Sequence, residues 1–256
     1  MSFTTVAAVL RALNAEPGRP RLTWYGPDGE RVELSGAVLE NWVAKTGNLL
    51  VEELDAGPGT RVLLDLPAHW RTVLWAFAAW RVGACVVLRG DAGAAGADVV
   101  VTDRPGEHPG AEPLVAVSLG ALARRFDGDL PAGAIDAAAA VMTYGDVLGW
   151  VPAADPAAPA LLTDAGDVPH RTLPAWAAGA ADVGPGARVL VPTATGSART
   201  LAVEHLLRVT CDVLGAGGSV VVLDATTSEA VAGDGARRAR LVDGERVSDE
   251  VPAPVA

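Results

Sequence analysis

Lysine, cysteine and aromatic residues are all scarce in this sequence of 256 residues. Lys45 is the only lysine, and all the other basic residues are arginines. Lysine and arginine together number 20 against 31 aspartates and glutamates, so the formal net charge is −11. Because this charge repels phosphates, we expect neither a nucleic acid nor an anionic membrane as a partner.

The two cysteines, Cys85 and Cys211, are too few for a disulfide framework, and both fall within apolar segments. We therefore expect reduced, buried thiols in a cytoplasmic protein. The four histidines are scattered without the spacing of metal ligands, so no metal site is expected. Aromatic residues make up only 5% of the chain, which predicts a core of alanine, valine and leucine.

Long hydrophobic runs are also missing. The longest apolar stretch covers residues 73–88, contains Arg81 and is too short to cross a bilayer. Residues 1–14 have neither the basic start nor the long apolar run of a signal peptide. These absences predict a protein that is neither inserted in a membrane nor exported.

One unit occurs twice in the sequence. GPGTRV at 57–62 returns as GPGARV at 184–189. Each copy is followed by a segment of helical periodicity and then by a glycine-led apolar run, at 83–88 and at 217–223. Continuous apolar strands are typical of parallel sheets covered on both faces, so each copy predicts a strand, a crossover helix and a parallel strand.

These patterns predict an α/β fold with two related strand-helix-strand subdomains and largely parallel sheets, preceded by a helix at 5–13 and a hairpin at 22–34. The expected organisation has four parts: a first subdomain with the N-terminal helix and hairpin at 1–126, an Ala/Gly/Pro/Asp-rich connector at 127–160, a second subdomain at 161–247, and a tail at 248–256, of which residues 252–256 are expected to be disordered. Two weaker patterns predict a helix at 119–126 and a hairpin at 240–247.

The first copy of the unit resembles the N-terminal part of the large domain of adenylate-forming enzymes, the acyl-CoA synthetase and AMP-binding superfamily. The resemblance rests on GPGTRV at 57–62, on Leu66-Pro67 followed by Trp70, and on AFAAWRVGA at 76–84. It is clear from residue 22 to residue 102 and looser up to residue 224. The chain looks like the short, truncated actinobacterial branch, which covers only the N-terminal part of the large domain. The family's two similar α/β subdomains agree with the internal repeat.

The resemblance implies a position for the family's nucleotide loop. Adenylate-forming enzymes hold ATP phosphates with a loop of the type TSGTTGxPKG placed after a strand. The corresponding positions here are Thr163, Asp164, Gly166, Asp167, Pro169 and His170. The interval is one residue short, two aspartates oppose phosphate binding, and histidine stands where the lysine belongs. A surface turn that has lost the function is therefore favoured over an altered nucleotide loop.

A second candidate site lies at 195–199. Thr195, Gly196, Ser197 and Arg199 follow a predicted strand and open a helix, where free backbone N–H groups attract an anion. Ordinary capping by threonine or serine accounts for the same residues and is the favoured interpretation.

The favoured functional hypothesis is a non-catalytic, truncated relative of the adenylate-forming enzymes that binds a ligand or a partner. Lys45, on an early helix, serves neither lysine position that the family uses, and the later ATP-binding segments and C-terminal domain have no counterpart. No catalytic residue and no cofactor are assigned. The alternative is an ATP- and Mg-dependent carboxylate-activating enzyme, or a half-enzyme that needs a second chain. A further alternative is an oligomeric scaffold. A second copy or a protein partner would cover the apolar face that truncation exposes.

Overall fold

The structure is a computed structural model that describes residues 5–88, 96–194 and 198–254. These residues form helices and mostly parallel strands, as the repeat predicts. The α-helices are α1 (Val6–Leu13), α2 (Gly36–Glu52), α3 (Trp70–Arg81), α4 (Ala137–Ala140), α5 (Leu173–Ala177), α6 (Arg199–Gly215), α7 (Ala225–Ala232) and α8 (Gly235–Glu245). The strands are β1 (Pro20–Tyr25), β2 (Arg31–Ser35), β3 (Arg61–Asp65), β4 (Cys85–Leu88), β5 (Val99–Thr102), β6 (Leu114–Ala116), β7 (Ile135–Asp136), β8 (Pro159–Thr163), β9 (Gly166–Pro169), β10 (Arg188–Pro192), β11 (Ser219–Leu223) and β12 (Asp249–Glu250).

Two compact units make up the described residues. The first lies within 1–39, 68–73 and 174–256 and is built on a five-stranded sheet of order β12-β10-β11-β1-β2. Every neighbouring pair in this sheet is parallel except β1 with β2. The second copy of the repeat supplies β10, α6 and β11, and all five residues of β11 are buried. Burial of consecutive residues explains why this strand is apolar throughout.

The second unit lies within 40–67 and 74–173 and is built on a seven-stranded sheet of order β7-β6-β5-β3-β4-β8-β9. Only β9 is antiparallel to its neighbour. The first copy of the repeat supplies β3, most of α3, and β4. One face of this sheet packs a cluster of buried side chains: Leu63, Cys85, Val87, Val100, Leu114 and Leu162. Cys85 is a free thiol in this cluster, as the sequence predicts.

Local sequence accounts for the N-terminal elements. Thr5 caps α1, because its hydroxyl accepts a hydrogen bond from the backbone N of Ala8 at 3.1 Å. Strands β1 and β2 form the predicted hairpin around the turn at 27–29. Both elements are confirmed.

The sheets place two segments differently from the contiguous subdomains expected from the sequence. The hairpin is expected within 1–126, yet β1 pairs with β11 of the second repeat, Leu22 opposite Val220. Strand β8 is expected within 161–247, yet it pairs with β4 of the first repeat, Leu161 opposite Val86. Both pairings join residues far apart along the chain, so neither sheet is built from one continuous stretch of sequence as the expected subdomains are.

The two weaker patterns are wrong. Residues 240–245 continue α8, whose N-terminus is capped by the Asp234 carboxylate through the backbone N of Ala236 and Arg237. The chain leaves this helix at Arg246, which has a left-handed φ of 53°. Residues 119–126 form turns and bends, and Leu122 is 93% exposed, so no apolar stripe there packs a helix.

Part of the expected tail is ordered in a sheet. Strand β12 pairs with β10, Asp249 lying opposite Val189, and Val251 is buried. Residues 249–251 are thus held by backbone pairing at the edge of the first unit's sheet, and the residues for which disorder is expected, 252–256, follow them.

Candidate functional site

The segment that resembles the nucleotide loop forms a tight hairpin. Strand β8 ends at Thr163, β9 begins at Gly166, and these two residues pair across a turn made by Asp164 and Ala165. Gly166 has a φ of 140°, a value that residues with side chains rarely adopt, so glycine permits the reversal. The chain turns back directly onto β8 instead of forming an extended glycine-rich loop.

The side chain of Thr163 is part of this turn. Its hydroxyl accepts a hydrogen bond from the backbone N of Ala165 at 3.2 Å and donates one to the carbonyl of Gly166 at 3.2 Å. Thr163 itself is only 3% exposed. A phosphate cradle needs backbone N–H groups that point outward together. At this turn the amide of Ala165 already bonds within the hairpin.

The charges of the hairpin are also unfavourable for a nucleotide. Asp164 and Asp167 are both exposed on it. A carboxylate about 4 Å from one phosphate charge costs about 1 kcal/mol in a water-like dielectric and more where water is excluded. The hairpin therefore offers a triphosphate repulsion at two positions.

His170 does not supply the missing positive charge. It begins the short 3-10 helix His170–Thr172, and its Nε2 lies 3.2 Å from the carbonyl oxygen of Gly83. Since a carbonyl oxygen only accepts, Nε2 carries the hydrogen. Burial lowers the pKa of His170 below its ordinary value of 6.5, and the Gly83 carbonyl opposes this shift only in part. The ring is therefore neutral at pH 7 and faces the protein backbone.

Lys45, the only lysine, has a structural role. Its Nζ donates to the carbonyl of Tyr144 at 2.6 Å and lies 2.8 Å from the carboxylate of Asp146. The sequence places this side chain on the solvated side of α2, but it is only 19% exposed. The ammonium group thus holds the segment that follows α4, and its bonds are made to that segment.

The candidate anion site at 195–199 lies mostly outside the described residues. Thr195, Gly196 and Ser197 are not described. Arg199 is the first residue of α6, and Ala198 at the N-cap position makes no side-chain capping bond. That site stays a prediction.

Sequence reasoning missed a polar cluster in the second unit, at the carboxyl ends of β3 and β5. Asp65 ends β3 and lies opposite Thr102, which ends β5. The Asp65 carboxylate accepts hydrogen bonds from the Thr102 hydroxyl at 3.0 Å and from Arg104 at 2.8 and 3.1 Å. Nε2 of His108 lies 2.9 Å from the same carboxylate. The signal in the sequence that could have found this cluster is a polar residue at the end of each of two apolar strands.

The position of this cluster is a topological switch point. The chain runs from β3 to β4 on one side and then to β5 on the other side of β3. In open parallel sheets, ligands bind outside the carboxyl ends of the strands where the order reverses in this way. The Asp65 cluster therefore occupies the edge of this sheet best suited to a ligand.

The electrostatics of the cluster favour an ionised carboxylate. Burial raises the pKa of Asp65, but hydrogen bonds from His108, Arg104 and Thr102 outweigh it and leave the pKa below its ordinary value of 3.8. Arg104 also pairs with Glu107 at 2.6 Å. The cluster holds residues 102–108 against the end of β3.

Two features are absent from residues 5–88, 96–194 and 198–254. In those ranges no three or more His, Cys, Asp or Glu side chains are grouped so as to hold a metal ion. Nor does any helix there have the length and apolar character needed to cross a membrane.

The chain is similar to one curated protein and to solved structures. No family model matches it. A "TIGR03089 family protein" of Mycobacterium tuberculosis is 42% identical over 142 residues, which are 52% of this chain and 57% of that protein. An acyl-CoA synthetase of Brucella canis has a TM-score of 0.66 at 21% identity, over 86% of this chain and 43% of its own. An acetoacetyl-CoA synthetase of Streptomyces lividans has a TM-score of 0.65 at 20% identity, over 86% of this chain and 38% of its own.

These likenesses establish the fold. The described chain has the α/β fold of acyl-CoA synthetases, so the resemblance drawn from the sequence is confirmed at that level. The match spans less than three fifths of the curated relative, and the chain spans less than half of either synthetase.

Proposed function

We propose that this chain is a binding module with an acyl-CoA synthetase fold that does not form acyl-adenylates by itself. The observation that supports the proposal is that the segment resembling the nucleotide loop forms the β8–β9 hairpin, in which Thr163 bonds within the turn. An enzyme that activates a carboxylate with ATP must hold the triphosphate while its α-phosphorus is attacked. In this proposal the hairpin stands where the sequence resemblance would put the hydrogen-bond donors that hold the triphosphate.

Charge supports the same conclusion. A nucleotide loop combines open backbone amides with a cation, and this segment has two exposed carboxylates and a neutral His170. Lys45 is held by Tyr144 and Asp146 and does not replace the cation. Binding of ATP at this hairpin would thus be opposed by both geometry and electrostatics.

The alternative is an enzyme or half-enzyme that activates a carboxylate with ATP and Mg. It is favoured by one observation, the fold shared with acyl-CoA synthetases over 86% of the chain. In this alternative a second chain would provide the missing phosphate contacts. Its substrate would be a carboxylic acid, as the chemistry of adenylation requires.

Pyrophosphate exchange separates the two functions. Purified protein is incubated with ATP, Mg, labelled pyrophosphate and a panel of carboxylic acids, with the Streptomyces lividans synthetase and acetoacetate as positive control. We expect no acid-dependent exchange above the no-enzyme background. Exchange that depends on one acid would establish the enzymatic alternative and overturn the proposal.

Thermal unfolding with nucleotide tests the same hairpin independently of chemistry. A ligand bound only by the folded state raises the midpoint of unfolding. We expect no shift with ATP and Mg for the wild-type protein. The variant Asp164→Ser/Asp167→Gly removes the two charges, and a shift seen only there would assign the loss of binding to them. A saturable shift with the wild-type protein would contradict the proposed loss of ATP binding.

A further inference from the structure

Exposed apolar side chains are concentrated in one stretch of the second unit. Seven large apolar side chains are exposed among the described residues, and five of them lie between 122 and 150: Leu122, Leu130, Met142, Val147 and Trp150. Contiguous exposed apolar side chains on a water-soluble protein mark interaction surfaces. Single exposed residues need no explanation, so the concentration is the informative feature.

What we call the Trp150 surface consists of the exposed side chains of Val147 and Trp150 and of three acidic residues: Asp146, next to Val147, and Glu52 and Glu53, at and just after the end of α2, the helix that is hydrogen-bonded to residues 144–149. Val147 is 82% exposed and Trp150 is 84% exposed. They are three positions apart in the chain, so their Cα atoms lie within about 11 Å of each other. Tryptophan is the residue most enriched at the energetic centres of protein interfaces.

Hydrogen bonds from α2 hold the backbone beneath this surface. Asn48 Nδ2 donates to the carbonyls of Gly145 at 3.1 Å and Val147 at 2.9 Å, and its Oδ1 accepts from the backbone N of Gly149 at 2.9 Å. Lys45 adds its bond to the carbonyl of Tyr144. A segment held in this way loses little freedom when a partner binds, which lowers the entropic cost of association.

The acidic residues of the Trp150 surface indicate the kind of partner. Glu52, Glu53 and Asp146 are all exposed, and Glu53 accepts a hydrogen bond from the Tyr144 hydroxyl at 3.1 Å. Lys45, which bonds to this segment, is itself paired with Asp146. A second copy related by two-fold symmetry would bring the same acidic groups face to face, which is unfavourable.

We propose that the Trp150 surface docks a basic segment of another protein that carries apolar side chains. The apolar side chains of that segment pack on Trp150 and Val147, and its lysines or arginines face Glu52, Glu53 and Asp146. This proposal rests on the partner-binding part of the proposed function. It does not depend on the loss of adenylation, so the pyrophosphate exchange above leaves it untouched.

Fluorescence anisotropy with two synthetic peptides tests the proposal. Both peptides have the same length and leucine positions; one carries lysine at every other position, and the second carries glutamate there. We expect saturable binding of the lysine peptide, at least tenfold weaker for Trp150→Ala and several-fold weaker for Val147→Ala. Leu122→Ala, at a side chain 93% exposed outside the surface, should bind within twofold of wild type. Added salt should weaken binding, since the charges involved are exposed.

Several results would overturn the proposal. Equal binding of the lysine peptide by Trp150→Ala and wild type would place the interaction elsewhere. Equal binding of the glutamate peptide would remove the role of charge. Absence of saturable binding would remove the docking site itself. Light scattering that shows a dimer for wild type and a monomer for Trp150→Ala would identify a second copy of this chain as the occupant and would overturn the proposed partner.

Discussion

Glu245 should be a main determinant of how α8 is held on the sheet of the first unit. It ends α8, is 7% exposed, and accepts hydrogen bonds from the Tyr25 hydroxyl at 2.5 Å and from Arg31 Nε at 2.9 Å. Arg188 on β10 pairs with the same carboxylate and also donates to the Glu245 backbone carbonyl at 2.6 Å. Replacing this side chain removes one acceptor shared by three donors.

The magnitude follows from burial. Removing one partner of a buried ion pair costs about 3–5 kcal/mol, whereas an exposed pair contributes at most about 1 kcal/mol. Arg31 is 41% exposed, so solvent screens its share. Arg188 keeps bonds to Thr23 and Ser219. We therefore expect Glu245→Ala to lose about 2–3 kcal/mol and Glu245→Gln about 1–2 kcal/mol of unfolding free energy.

The effect should depend on pH in a defined direction. Burial raises the pKa of Glu245, but hydrogen bonds from Tyr25, Arg188 and Arg31 outweigh it and leave the pKa below its ordinary value of 4.5. The unfolded chain then binds the proton more readily than the folded one. Stabilisation by the carboxylate is complete above the ordinary value and is lost as the pH falls through the lower folded value.

Urea unfolding followed by circular dichroism measures this at neutral pH and at about pH 3.5. Glu250→Gln is the matched control, because the ion pair of Glu250 is with Arg238, which is 51% exposed, and its loss should change stability by less than about 0.5 kcal/mol. The reasoning is refuted if Glu245→Gln costs no more than this control at neutral pH. It is equally refuted if the difference from wild type is unchanged in acid.

Three further predictions concern His69, Asn48 and Gly166. Burial, reinforced by Arg71, lowers the pKa of His69 to about 3 from 6.5. As the pH falls through this range, the histidine of the unfolded chain is protonated first, so the unfolding free energy of wild type should fall by up to about 1.4 kcal/mol per pH unit relative to that of His69→Gln. Urea-derived unfolding free energies that change in parallel for the two proteins would contradict this prediction. Asn48→Ala removes three hydrogen bonds to 145–149 and should cost about 2–3 kcal/mol in urea unfolding. The control Thr143→Ala loses one exposed hydrogen bond and should cost less than about 1 kcal/mol of unfolding free energy. Equal losses of unfolding free energy in the two variants would argue against the anchoring role of Asn48. Gly166→Ala should cost about 1–3 kcal/mol through its φ of 140°. The control is Gly184→Ala, because Gly184 has an ordinary φ and open space for a Cβ; its unfolding free energy should stay within about 0.5 kcal/mol of wild type. If Gly166→Ala changed the unfolding free energy as little, the turn would tolerate a side chain.

The sequence by itself determined the elements whose physics is local. The two GPGxRV copies and the apolar runs after them predicted β3, β4, β10 and β11, since a strand covered on both faces is apolar throughout. Thr5 predicted the start of α1 because its hydroxyl replaces a missing intrahelical acceptor. Where the local signal was ambiguous, as at 240–247, the predicted hairpin was wrong, and a helix capped by Asp234 forms there instead.

Only the tertiary structure decided which strands are neighbours and which side chains meet. Pairing of β1 with β11 and of β4 with β8 depends on contacts between residues far apart in sequence, which no local pattern encodes. The same holds for the Asp65 cluster, which forms because the carboxyl ends of adjacent parallel strands meet at one edge of a sheet. The charges at 163–170 were visible in the sequence. The hydrogen bond of Thr163 within its own turn and that of His170 to a backbone carbonyl are known only from the folded chain. Hydrogen-bond partners are set by position in space, which the sequence pattern does not give.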